Sequence, residues 1–244
     1  MNSIVDVFAT PYEYWRYRHV PFDEAIKNPD PNARPFLKEK DKLIRTVTCH
    51  REAAEHILLQ RADALLESHI EAALTVSNVY QRWLREEPLE DPKAFLDYQI
   101  KCPHHDKAAV DDLIDQHGVT LADGQYLFHC GSWSSYSDTL TTDRPFSTSF
   151  CPQVALRNGE HKGKSYDAGK VELFVIRTTN PVTKAYVSRC TGEQGHEKEV
   201  LFASGASLRQ VRKTMVNEIK ATKQENGREV SRMVPAYVIE IELS

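Results

Sequence analysis

The stretch GEQGHEKEVLFASG, residues 192–205, sets two glutamates, Glu197 and Glu199, one lysine apart and directly before the apolar run Val200-Leu201-Phe202. If Glu199 opens a strand, side-chain alternation puts residues i and i+2 on one face. Two carboxylates are then expected to share the mouth of a buried strand. Like charges that close repel, so one of them holds its proton more tightly than a solvated carboxylate does. The pair also permits a division of labour, in which one carboxylate stabilises a developing cation and the other positions or deprotonates a nucleophile. Taken alone, the same residues describe a solvated acidic turn. The company they keep decides between the two readings.

Two other stretches belong to that company. Arg144-Pro-Phe-Ser-Thr-Ser-Phe150 places three hydroxyls, Ser147, Thr148 and Ser149, between two phenylalanines. Hydroxyls both donate and accept, and in a strand Ser147 and Ser149 face one way and Thr148 the other. Tyr126-Leu-Phe-His-Cys-Gly-Ser-Trp133 reads as a strand with His129 near its end, followed by Gly131, where a missing Cβ lets a ligand approach the backbone. Judged singly, these are an edge strand or turn and an ordinary polar histidine.

Composition sets the frame. At 244 residues, with 41% hydrophobic and 27% charged, the chain suits one large globular domain or two small ones. No apolar run approaches the length of a membrane span, and MNSIVDVFATPYEYW lacks the basic and apolar regions of a signal peptide. Five scattered cysteines without a CxxC pair read as free thiols in a reducing compartment, so a cytoplasmic location is expected, including that of a target cell into which the protein is delivered. A net charge of −4 argues against whole-chain nucleic-acid binding. Between residues 207 and 232, however, seven Lys or Arg stand against three Glu, which predicts a solvated loop or helix face that steers an acidic acceptor.

The first hundred residues read as helical. From Arg51 to Glu87 there is no Gly or Pro, and Leu58, Ala62, Leu65, Ile70, Ala73, Val76, Tyr80 and Trp83 form a helical stripe, in one long helix or two joined near Ser77-Asn78. Asp91 is expected to cap a short helix through Ile100, with Pro92 at its first position, and a further helix runs from Asp106 to Gln116 and ends at Gly118. Beyond Gly118 the pattern turns to strands: Gly124–His129, Lys170–Arg177, Glu199–Phe202 and an alternating Val234–Leu243. The expected architecture is α+β, with a helical region over residues 1–119 and a strand-rich region over 120–244.

Taken together and in order, these stretches resemble the mono-ADP-ribosyltransferase superfamily, the fold of the bacterial ADP-ribosylating toxins. FSTSF (146–150) and EKEVLF (197–202) match that family's S-T-S and E-x-E motifs, over roughly residues 120–244. The chain departs from the arginine-type branch at the first motif, where His129 in LFHCG stands in place of Arg. A bidentate phosphate clamp is thereby replaced by a neutral ring suited to a ribose hydroxyl. The resemblance implies a split β-sheet core and NAD as the substrate bound in its cleft. It implies Glu199 as the residue that stabilises the ribosyl cation and Glu197 as the one that orients or deprotonates the acceptor. His129, Gly131, Ser147, Thr148, Ser149 and Phe150 are then the NAD-contacting residues, with Ser147 holding Glu199 or the ribose and Phe150 or Trp133 stacking on nicotinamide. It further implies transfer of ADP-ribose to a macromolecule, protein arginine first and nucleic acid second, in a toxin or effector with a neutralising partner protein. An NAD glycohydrolase and an inactive NAD-binding module are the alternatives.

Several stretches imitate other sites. Gly159-Glu-His-Lys-Gly-Lys-Ser165 has three residues between its glycines where a P-loop has four. Cys102-Pro-His104-His105 lacks a second ligand pair at zinc spacing, and no metal is expected. Tyr12-Glu-Tyr-Trp-Arg-Tyr-Arg-His19 interleaves aromatic and basic residues, as a base-stacking arm or as a segment packed on the body. The 1–119 region is left with three roles: target recognition, holding a partner, or covering the cleft.

Overall fold

A computed structural model describes residues 3–21, 38–86, 88, 92–101, 106–133, 137–189 and 197–244. The helical stripe after Arg51 resolves into α1 (His50–Gln60), α2 (Ala64–Val76) and α3 (Asn78–Glu86). Ser77 breaks it where expected. The second break has no Gly or Pro to announce it: Arg61 turns to a φ of 70°, and the Asp63 carboxylate accepts from the Leu65 and Leu66 amides at 3.1 and 3.2 Å, capping α2. Pro92 precedes α4 (Lys93–Lys101) rather than opening it, its carbonyl accepting from the Phe95 and Leu96 amides. The expected Asp91 cap lies outside the described residues. Asp106 caps α5 (Lys107–His117), which Gly118 ends.

Among the described residues the expected helical N-terminal region also contains a two-stranded sheet. Tyr12–His19 is strand β1 and pairs antiparallel with β2 (Lys38–Val47). Aromatic alternation fits a pleated ribbon, and Tyr12 is anchored by donating to Asp63 at 2.7 Å.

The remaining strands are β3 (Tyr126–Gly131), β4 (Thr139–Thr141), β5 (Phe146–Ser149), β6 (Val171–Thr178), β7 (Ala185–Val187), β8 (Glu199–Phe202), β9 (Ser207–Glu225) and β10 (Arg228–Leu243). Helices α6 (Pro152–Glu160) and α7 (Lys164–Ala168) carry the chain from β5 to β6, and the glycines of the P-loop-like stretch fall in and between them. The basic tract 207–232 is neither loop nor helix. It is the β9–β10 hairpin, turning at Asn226-Gly227 with φ of 50° and 75°, as a two-residue hairpin turn requires. Its outer part is polar on both faces, so it lacks the apolar alternation that announces a strand.

Among the described residues the eight strands order as β4-β9-β10-β6-β3-β5-β8-β7, with β10 and β6 parallel and the other pairs antiparallel. Between β3 and β5 the ladder is a single pair, Phe128 with Ser149. The sheet is therefore joined between β3 and β5 by a single ladder pair. Helices from both sequence halves cover it, in the α+β arrangement expected. One apolar cluster runs from Val5 and α1–α3 to Leu243, and a second joins Phe95, Val110, Leu113 and Ile114 to Tyr186 and Leu201.

Candidate active site at the sheet division

β5 and β8 pair antiparallel, setting Ser149 opposite Glu199 and Ser147 opposite Leu201. Ser147, Ser149 and Glu199 consequently share one face. All three hydroxyls of the Ser-Thr-Ser stretch reach across to residues 197–200. Ser147 Oγ donates to the Glu199 carboxylate, Thr148 Oγ1 to the Val200 carbonyl at 2.7 Å, and Ser149 Oγ to the Glu197 carbonyl at 2.7 Å. The two motifs are one hydrogen-bonded unit, and Glu199 sits within it at 3% exposure.

These contacts divide the serine-threonine set. Ser147 meets a carboxylate. Thr148 and Ser149, expected to contact a ligand, are buried and turned to backbone carbonyls, and Ser149 Oγ also accepts from the Cys151 amide at 3.0 Å. They hold the strands together, because a buried hydroxyl left without a partner is costly.

The expected sharing of a face by Glu197 and Glu199 does not follow from alternation. Lys198 has a φ of 49°, so the chain is not extended before Glu199, and Glu197 lies in the preceding turn, half-buried. The lysine carries the tight bend that brings the turn against β5, and its carbonyl accepts from the Phe150 amide at 3.1 Å.

His129 stands where β3 leaves β5. Its Nδ1 lies 2.7 Å from the Ser147 carbonyl, a side-chain bond just past the last ladder pair. A carbonyl only accepts, so Nδ1 carries the proton. Burial pulls the imidazole down to about 4, against the Ser147 bond that works to raise it, with Lys164 and Arg144 adding to the depression. The ring is thus neutral at ordinary pH, and Nε2 is an acceptor. Sequence reasoning gave this histidine a donor to offer; the Ser147 carbonyl has taken it. Gly131 makes room for the ring, since a Cβ there would lie 2.6 Å from His129 Nε2.

The aromatic residues are distributed differently from the expectation. Phe150 is 1% exposed and packs edge-on against Tyr80 at 5.9 Å, within the core. Trp133 is buried too, edge-on to Phe174, with Nε1 donating to the Ser137 carbonyl. Phe146 is the partly exposed ring beside the site, 4.6 Å from His129. Its place directly before Ser147, at the start of the Ser-Thr-Ser strand, was the available signal. Lys198 and Glu67, which pair at 3.3 Å, were missed because their contact spans 131 residues of sequence.

Among the described residues no group of three or more His, Cys, Asp or Glu stands at metal-holding geometry, and no helix is long and apolar enough to cross a membrane. The Cys102–His105 stretch lies outside the described residues.

No family model matches the chain, and no curated protein does. Among solved structures it is similar to the Vis toxin, an ADP-ribosyltransferase from Vibrio splendidus, with 15% identity over 70% of this chain and 69% of that one, at a TM-score of 0.33. It is similar to BECa, an ADP-ribosylating toxin of a binary enterotoxin of C. perfringens solved with NADH, with 12% identity, 68% and 46% coverage and a TM-score of 0.40. The enzymatic component C2-I of the C2-toxin from Clostridium botulinum gives 10% identity, 68% and 45% coverage and a TM-score of 0.39. The chain spans under half the length of these last two.

Proposed function

We propose that this protein transfers ADP-ribose from NAD to a macromolecular acceptor and releases nicotinamide. Protein, at an arginine side chain, is the first choice of acceptor and nucleic acid the second. One observation carries the reading: the Ser147 hydroxyl donates to the buried Glu199 carboxylate while the Ser147 carbonyl fixes His129, at the point where two strands part.

Cleaving the bond between the ribose carbon and nicotinamide sends its electron pair to nicotinamide and leaves positive charge on the sugar. A carboxylate held beside that carbon stabilises the charge as it develops, the same demand met in glycoside cleavage. Glu199 has this role, and Ser147 holds it in place. His129 Nε2 accepts a hydrogen bond from a ribose hydroxyl, and Gly131 keeps the space its ring needs. Phe146 offers an aromatic face to the nicotinamide ring. Lys164 and Arg144, whose positive charges act on His129, are the cations this reading assigns to the diphosphate. Glu197 orients the acceptor and takes the proton that its nucleophile loses on bonding to the ribose carbon. A toxin or effector context, with a neutralising partner, belongs to the same proposal.

The test is nicotinamide release from NAD by the full chain, alone and with cell lysate, beside Glu199→Gln. Label from adenine-labelled NAD that enters a protease-sensitive product names a protein acceptor; a nuclease-sensitive product names nucleic acid. Release without macromolecular label makes the protein an NAD glycohydrolase. NAD binding without release under any condition overturns the catalytic reading and leaves a binding module.

A further inference from the structure

Lys198, between the two glutamates, is 2% exposed, and burying an ammonium requires a partner. It finds one on the N-terminal region. Lys198 Nζ lies 3.3 Å from Glu67 Oε1 and 3.7 Å from Glu71 Oε2, one helical turn apart on α2. The other oxygen of Glu67 accepts from Gln153 Nε2 at 3.0 Å. Gln153 stands in the first turn of α6, which follows β5 at once, and its Oε1 accepts from the Asp63 amide at the start of α2. One carboxylate thus grips both site-bearing strands, β8 through Lys198 and β5 through Gln153.

We propose that Glu67 and Lys198 are positioning residues: the α2 carboxylate, through the buried lysine, fixes the turn that sets Glu197 and Glu199 against Ser147. The N-terminal helices are then part of the active site's construction, in addition to any role in target recognition. This rests on the proposed role of Glu199 for its catalytic consequence, while the structural claim stands apart from it.

The experiment compares the full-length protein with Glu67→Gln, Lys198→Met and the double variant, using two readouts. The first is hydrogen–deuterium exchange of peptides covering residues 146–151 and 197–203. Glu67→Gln removes the nearer of the two α2 carboxylates that face the buried ammonium, so exchange there is expected to rise at least ~10-fold while the β9–β10 ladder is unchanged; the double variant, which removes the buried charge as well, recovers part of that protection. The second is steady-state nicotinamide release. Here kcat is expected to fall at least ~10-fold in Glu67→Gln with KM for NAD within about threefold, the pattern of a displaced catalytic group rather than a lost binding contact. Unchanged exchange at 197–203 overturns the inference whatever the activity. So does a uniform rise across the whole protein, which marks general destabilisation, or strict additivity in the double variant. If the local exchange responds but the wild type releases no nicotinamide, the positioning claim holds and the proposed function fails.

Discussion

Two glutamates are buried in strands of the same sheet, and different groups meet them. Glu172, near the start of β6 and 0% exposed, meets two ammonium groups, Lys170 at 2.8 Å and Lys213 at 2.5 Å, and accepts from the Trp133 amide at 2.7 Å. Burial works to raise its pKa, but these hydrogen bonds outweigh it and hold the carboxyl below its ordinary value. Glu199, at the mouth of β8, takes a hydroxyl from Ser147, and the lysine beside it in sequence turns away to Glu67. The first arrangement satisfies a charge with fixed cations and serves the fold. The second ties the start of β8 to the Ser-Thr-Ser strand, and in the proposed function it keeps the carboxylate beside the cation that forms during reaction.

That contrast can be broken by exchanging charge for shape. Glu199→Gln is expected to lower nicotinamide release at least ~100-fold with a shift in Tm of only a few degrees, by thermal unfolding and steady-state assay together. Glu172→Gln is expected to do the reverse. It leaves two lysines facing a neutral amide and costs about 3 kcal/mol in denaturant unfolding, while the folded fraction keeps its turnover. If the two variants behave alike in both assays, the distinction between the glutamates is wrong. Ser147→Ala sharpens it: removing the hydroxyl that holds Glu199 should lower kcat about 10-fold, with stability changed by about 1 kcal/mol. Gly131→Ala pushes a Cβ against the His129 ring and should raise KM for NAD several-fold with a smaller effect on kcat, because the ring must move.

The smallest effect is in pH. His129 and His50 are both drawn down to about 4, chiefly by burial, His50 stacked on Tyr126 at 4.6 Å. An unfolded histidine takes up its proton near 6.5, so between that value and about 4 the unfolded chain binds more protons than the folded one. Stability is therefore complete above about 6.5 and declines as pH falls towards 4. Tm measured from about pH 7 to about pH 4 should fall over that window, and His50→Phe should flatten part of the decline. A flat profile in the wild type would mean that these rings are protonated without cost.

Several of the strands were legible because a short apolar or alternating run is a local signal. Glu199–Phe202 has the bounds expected of it, and α5 ends at Gly118 as expected. The break between α1 and α2 was not legible, because Asp63 caps a helix without any neighbouring Gly or Pro. Nor was the 207–232 part of the β9–β10 hairpin, whose outer residues face water on both sides, whereas Val234–Leu243 is the inner part of β10 as expected. Thr148 and Ser149 were read as ligand contacts because a hydroxyl's type says nothing about which carbonyl will lie opposite it.

By itself, the sequence determined the pieces: a helical stripe, four strand-like runs, and the residue types at Ser147, Glu197 and Glu199, since periodicity and chemical identity reside in neighbouring residues. Tertiary structure alone decided how they meet. Ser147 reaches Glu199 across 52 residues, His129 donates its ring N–H to the Ser147 carbonyl, and Lys198 finds Glu67 across 131. Those contacts depend on strand pairing and on where a buried charge is neutralised, and both are set by distant parts of the chain packing on one core.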